Sequence, residues 1–198
     1  MEKRLSFKVL ANSPDFKEPD PDLEQYATPV DIVLEIVKKA NSRGHLAGKV
    51  ADLGCGTGRL AIGAAIQGAD VTGFELDQKA LNTAIQYSKK NNLDIKWVCG
   101  AVENIDEDFD TVIMNPPFGA QRPGADRIFL KKALEISEQI WTIHMSETRS
   151  FIEKFVDSNA GKIESRYEFD FAIPRSMPFH TEDTANQKAI LYHIASLR

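Results

Sequence analysis

Asp52-Leu53-Gly54-Cys55-Gly56-Thr57-Gly58 stands between the apolar run Lys49 to Leu53 and the helix-like run Leu60 to Ile66. A strand that ends in spaced glycines and turns directly into a helix belongs to the first unit of an open α/β sheet. Gly54, Gly56 and Gly58 let the backbone come close to a ligand. A dinucleotide fingerprint needs a further glycine where Arg59 stands, so the loop does not match the pattern that seats a pyrophosphate on a helix N-terminus. Glu75 ends the next strand at about the 20-residue spacing where a carboxylate accepts from ribose hydroxyls. Together the loop and Glu75 predict a nucleoside at the C-terminal edge of the sheet.

The rest of the chain repeats the same unit. Ile32, Val33, Ile36 and Val37 recur at helical spacing, with Gly44 as a stop. Strands are predicted over Asp70 to Leu76, Ile95 to Cys99, Asp110 to Met114 and Ile140 to His144. Helices are predicted around Leu81, Ala84, Ile85 and Ser88, closed by Asn91-Asn92, then over Ile128 to Ile136 and Thr148 to Val156. After Gly161, Lys162 to Ile173 and Lys188 to Ile194 read as two strands joined by a loop with Pro174 and Pro178. The expected fold is α/β: a mostly parallel seven-stranded sheet with helices on both faces and an antiparallel C-terminal strand pair. Residues 1–22, polar and carrying Pro14, Pro19 and Pro21, read as an irregular N-terminal arm, and 1–198 as one domain.

Composition excludes several classes. No apolar stretch is long enough to span a membrane, and the first residues hold no signal-peptide core. Two cysteines, Cys55 and Cys99, fit a reduced, cytoplasmic protein. The net charge of −5 does not draw the chain to nucleic acid, so any RNA-binding surface must be local. Arg122, Arg127, Lys131, Lys132 and Arg149 would form one; a solvated helix face explains the same charges. His45, His144, His180 and His193 lack metal-ligand spacing, and no metal site is expected. Cys55 fills a place in the glycine loop where a small residue suffices, and is not read as a nucleophile.

Asn115-Pro116-Pro117-Phe118 follows the apolar run Thr111 to Met114. The Asn115 side-chain oxygen and the Pro116 carbonyl can each accept one N–H of a planar NH2 group, and proline's fixed φ keeps that carbonyl aimed. An exposed Phe118 ring would stack on the planar group, worth about 1–3 kcal/mol if it is a base. Two acceptors free the lone pair of the nitrogen. By itself the string does not separate a base from a side-chain amide.

Loop, Glu75 and Asn-Pro-Pro-Phe together resemble a class I, Rossmann-like S-adenosylmethionine-dependent methyltransferase acting on amino nitrogen. Leu23 to Pro29, Ala51 to Gly56, Phe109 to Gly119, Phe129-Leu130-Lys131, Ile143-His144 with Thr148-Arg149, and Phe179-His180 are similar to the methyltransferase-like-five family and its archaeal relatives. Those proteins methylate adenine N6 in small-subunit ribosomal RNA. The resemblance implies S-adenosyl-L-methionine as cofactor, RNA as substrate and a small zinc-binding activator protein as partner. It puts Gln25, Tyr26 and Thr28 at the cofactor's methionine end, with Asp52, Gly54, Gly56 and Thr57 as the loop beneath it. Glu75 takes the ribose and Asn115 to Phe118 the target adenine. The acidic residue that usually bonds the cofactor's adenine amine aligns with Ala101, leaving Val102 to pack on the ring or Glu103 or Asn104 to substitute. The competing readings are a protein-glutamine N5 methyltransferase, against which Phe118 and the short N-terminal arm count, and a non-catalytic scaffold, against which Glu75 and Asn115 count.

Overall fold

The computed structural model describes residues 2–119, 124–171 and 187–198. All seven strands join one sheet: β1 (Lys49–Leu53), β2 (Asp70–Glu75), β3 (Ile95–Cys99), β4 (Phe109–Met114), β5 (Ser137–Met145), β6 (Gly161–Phe171) and β7 (Gln187–Ser196). Their order is β3-β2-β1-β4-β5-β7-β6. β1 pairs in parallel with both β2 and β4, and β4 with β5, while β7 runs antiparallel to β5 and to β6. The sheet matches the expectation in strand count, direction and the antiparallel pair.

The helices are α1 (Glu2–Ala11), α2 (Val30–Ser42), α3 (Arg59–Ile66), α4 (Gln78–Lys90), α5 (Ala125–Ile136) and α6 (Arg149–Ser158). Side chains alternate along a strand, so neighbouring residues feed opposite cores. Val50, Ile113 and Trp141 pack with α2 and α3 on one face. Ala51, Val112, Met114 and Ile140 pack with α5 and α6 on the other. With both faces covered, the central strands read as continuous apolar runs.

Residues 2–11 are helical, which corrects the expected irregular arm over 1–22. Leu10 is buried in the α2–α3 core and the Tyr87 hydroxyl donates to the Val9 carbonyl at 2.6 Å, so tertiary contacts hold a helix that has little apolar periodicity of its own. The loop with Pro174 and Pro178, together with Arg122 and Phe179-His180, lies outside the described residues.

Chain order places the loops after β1, β2, β3 and β4 at one edge of the sheet. Between β1 and β4 the order reverses, which is where open α/β sheets bind ligands.

Candidate active site

A cavity of ≈ 350 Å³ opens at that edge. Every residue expected to bind the cofactor lines it: Gln25, Tyr26, Thr28, Asp52, Gly54, Gly56, Thr57, Glu75, Ala101 and Val102. Asn115 and Pro117 line it too, whereas Pro116 and Phe118 are absent from its wall.

The glycine loop owes its shape to left-handed backbone. Gly54, Gly56 and Gly58 have φ of 67°, 54° and 88°, a region costly for residues with a Cβ. A Cβ on Gly54 would come within 2.9 Å of the Phe129 ring, and one on Gly56 within 2.6 Å of the Phe16 ring. Here the glycines make room for aromatic side chains of the protein itself, a demand the sequence did not reveal.

Asp52 is 1% exposed. Its Oδ2 accepts the Ala61 N–H at 2.8 Å, while Oδ1 has no partner among the described residues. Burial pushes its carboxyl up to about 8, against the pull of the Ala61 hydrogen bond and with a further push from Glu75. Glu75 is raised as well, by burial first. Its Oε2 accepts from Gly56 N at 2.7 Å and its Oε1 from Asp77 N at 2.9 Å. The Cys55 thiol is driven well above its ordinary range by burial and by the two carboxylates, which agrees with its reading as no nucleophile.

One segment ties the two ends of the cavity together. The Gln25 amide accepts from Asp20 N and donates to Asp77 Oδ2, both at 2.8 Å, so both its ends are engaged within the protein. Asp77 caps α4 with its other oxygen, which accepts from Lys79 N at 2.8 Å. Tyr26 reaches the other way: its hydroxyl donates to Asn115 Oδ1 at 3.3 Å, and Asn115 Nδ2 donates to Thr28 Oγ1 at 3.1 Å. Glu24, in the left-handed region at φ 51°, accepts the Phe118 N–H at 2.7 Å. A buried residue with a Cβ in that region is a strained backbone position, as occurs at functional sites.

Phe118 is half-buried rather than exposed. Its ring lies 5.8 Å from Tyr26 and 6.0 Å, edge-on, from Phe171. The Thr57 hydroxyl is also spoken for, donating to the Pro14 carbonyl at 2.8 Å.

Sequence reasoning missed Phe16, Glu24 and Arg59. The Arg59 guanidinium donates to Ser13 Oγ and to the Thr28 carbonyl, fastening the N-terminal segment over the loop. No local signal marks such partners, which are far away in sequence. Of the expected basic surface, Lys132 is 9% exposed, donates to the Ile105 carbonyl and pairs with Glu135, so it drops out. Arg149 is paired with Glu153 and Glu168. Arg127 lies over the Phe151 ring at 4.4 Å, and Lys131 is exposed. Two of the histidines meet: the His45 and His193 rings are 4.8 Å apart, and His193 stacks on Trp141 at 4.6 Å. Among the described residues no group of His, Cys, Asp and Glu could hold a metal ion. Nor is any described helix long and apolar enough to cross a membrane.

This sheet order, with a glycine loop after β1 and an acidic end to β2, is the architecture of a class I methyltransferase. Residues 29–144 match the model of the methyltransferase small domain. The rRNA N(6)-adenosine-methyltransferase METTL5 of Danio rerio is 34% identical over 181 residues, covering 86% of this chain and 87% of its own. The Drosophila melanogaster protein of that name is 34% identical over 180 residues, covering 84% of each chain. A crystal structure from Pyrococcus horikoshii, described as a candidate RNA methyltransferase, superposes with a TM-score of 0.90 at 37% identity, covering 100% of this chain and 98% of that one. The chain therefore belongs to the methyltransferase small-domain family, in the group that contains the METTL5 proteins.

Proposed function

We propose that the protein transfers the methyl group of S-adenosylmethionine to the N6 amino group of an adenosine in ribosomal RNA of the small subunit. The observation that carries this reading is Asn115, held by Tyr26 and Thr28 at the end of β4, on the wall of a cavity that Asp52 and Glu75 also line.

The residues present fit the methyl donor. Asp52 Oδ1 is a buried, unpartnered acceptor, which suits a ligand ammonium. Glu75 takes the Gly56 and Asp77 N–H groups, with a further backbone hydrogen bond from Leu76, and keeps acceptor capacity for a ribose hydroxyl. Leu76, 56% exposed at the cavity wall, and Val102 offer apolar surface to a flat ring. Glu103 lines the same wall and supplies the carboxylate that Ala101 lacks; Asn104 is not part of the wall. When bound, the donor supplies a sulfonium methyl, an electrophile that reacts without a covalent enzyme intermediate.

What remains for the protein is alignment of the acceptor nitrogen and release of its lone pair. Asn115 Oδ1 has one lone pair beyond the Tyr26 bond, and it accepts one amine N–H. The other is assigned to the carbonyl of Pro116, which is not itself on the cavity wall but stands in the chain between the two wall residues Asn115 and Pro117. Neutral Asn115 puts no formal charge against the base, and the amine proton passes to water as the nitrogen is methylated. The adenosine must be unstacked to reach the cavity, so a single-stranded or flipped nucleotide is the substrate form. With an acidic chain, the address comes from the ribosomal subunit itself or from a small zinc-binding activator protein.

Methyl transfer from labelled donor to ribosomal RNA, compared with release factor, tests the reading. Label recovered as N6-methyladenosine supports it. Label found only in protein would sink it.

A further inference from the structure

The segment that leaves β4 is poor in backbone donors. Pro116 and Pro117 carry no N–H, so Phe118 supplies the first one beyond Asn115. Glu24, from the segment before α2, accepts it through Oε2 at 2.7 Å. The direction of this bond is fixed, since a backbone N–H can only donate.

The backbone of Glu24 is held in an unusual place. It closes the short 3₁₀ turn Pro21–Leu23, with its own N–H on the Pro21 carbonyl at 3.0 Å, and takes φ 51° and ψ 40°. Glycine would sit there freely, whereas a residue with a Cβ is strained. A glutamate that is 8% exposed holds the position instead. Strain kept for a side chain that glycine lacks points to a use for that side chain. We infer that Glu24 is a positioning residue for the methyl acceptor: by holding the Phe118 N–H it fixes the far end of Pro116-Pro117, and with it the aim of the Pro116 carbonyl and the place of the Phe118 ring. The near end is fixed by β4. Ring contacts of Phe118 with Tyr26 and Phe171 are not directional and do not orient the peptide planes behind the ring. The inference rests on the role proposed for Asn115 to Phe118, and it leaves Gln25, Tyr26 and Thr28 their part at the donor's methionine end.

Glu24→Ala removes the acceptor and keeps the strain, Glu24→Gly removes both, and Glu24→Gln restores one acceptor oxygen. At saturating donor, kcat on ribosomal RNA is expected to fall about tenfold or more in Glu24→Ala and Glu24→Gly, the scale of a misplaced reacting group. Glu24→Gln should recover most of that loss. The S-adenosylmethionine Kd should rise by less than kcat falls. Glu24→Gly, free of the left-handed strain, should melt no lower than Glu24→Ala and yet be as slow. In NMR of the protein without RNA, with isotope-labelled phenylalanine, the Phe118 backbone amide should exchange with water at least about tenfold faster in Glu24→Ala, the loss of a hydrogen bond to a carboxylate. The inference is overturned by wild-type kcat in Glu24→Ala, by Glu24→Gln as slow as Glu24→Ala, by a kcat that follows Tm through the variants, by a donor Kd that accounts for the whole loss, or by unaltered Phe118 exchange. Full activity in Asn115→Ala would instead overturn the proposed function. An inactive Asn115→Ala beside a fully active Glu24→Ala would remove only this inference. The exchange measurement decides even if ribosomal RNA is not the substrate.

Discussion

Gly56 donates its backbone N–H to Glu75 Oε2 at 2.7 Å, joining the middle of the glycine loop to the end of β2. The same carboxylate holds Asp77 N, so one side chain shapes both the turn after β1 and the turn after β2 at the cavity. Replacing Glu75 with Ala is expected to raise the S-adenosylmethionine Kd about ten- to a hundredfold, the worth of hydrogen bonds to a charged group. Turnover at saturating donor should change far less. Isothermal titration calorimetry and donor-saturated rates separate the two.

Asp52 is expected to set a pH dependence for donor binding. Its carboxyl in the empty protein is raised to about 8, so it is largely protonated at neutral pH, whereas a ligand ammonium favours the carboxylate. Binding then releases a proton, and affinity should climb as pH rises toward about 8 and fall above it, where the ligand's own α-ammonium deprotonates. Because the folded state holds this proton more tightly than the unfolded state, the stability of the empty protein falls as pH rises from the ordinary carboxylate range to about 8. Calorimetry in buffers of different ionisation enthalpy reads the released proton, and Asp52→Asn should abolish both effects.

Acid should act through the buried histidines. Burial lowers His144 to about 3 and, with His45 and Arg43, His193 to about 4, from 6.5. Between those values the unfolded chain binds protons that the folded chain refuses, so stability is lost as pH falls from 6.5 toward 4. A Tm series over that range should slope downward, and His193→Phe should flatten it.

Arg127 and Arg149 are expected to differ toward RNA. Arg127 rests on the Phe151 ring, whereas Arg149 is paired with Glu153 and Glu168. Arg127→Ala should therefore reduce the slope of log affinity against log salt by about one. Arg149→Ala should leave it unaltered. Fluorescence anisotropy over a salt series checks both.

Much of this was legible in the sequence because the central strands are buried on both faces. Val50 to Leu53 and Thr111 to Met114 read as apolar runs wherever they are placed, and the glycines between β1 and α3 fix the turn. Helix α1 was not legible, since Leu10 and Tyr87 hold it from outside its own pattern. The cavity's wall could be assembled from motifs, but the partners within it could not. Gln25 reads as a polar lining residue; only the fold reveals that both ends of its amide are taken by Asp20 and Asp77. Lys132 reads as a surface cation until its ammonium is found on the Ile105 carbonyl.

The central claim is that Asn115 holds the adenine amine and not the cofactor. The most direct test pairs mass spectrometry of digested ribosomal RNA, from cells whose only copy is Asn115→Ala, with calorimetry of the purified variant. The account predicts that one N6-methyladenosine disappears while the donor Kd stays within a few fold of wild type. Retention of the methylated nucleoside, or loss of donor binding, would contradict it.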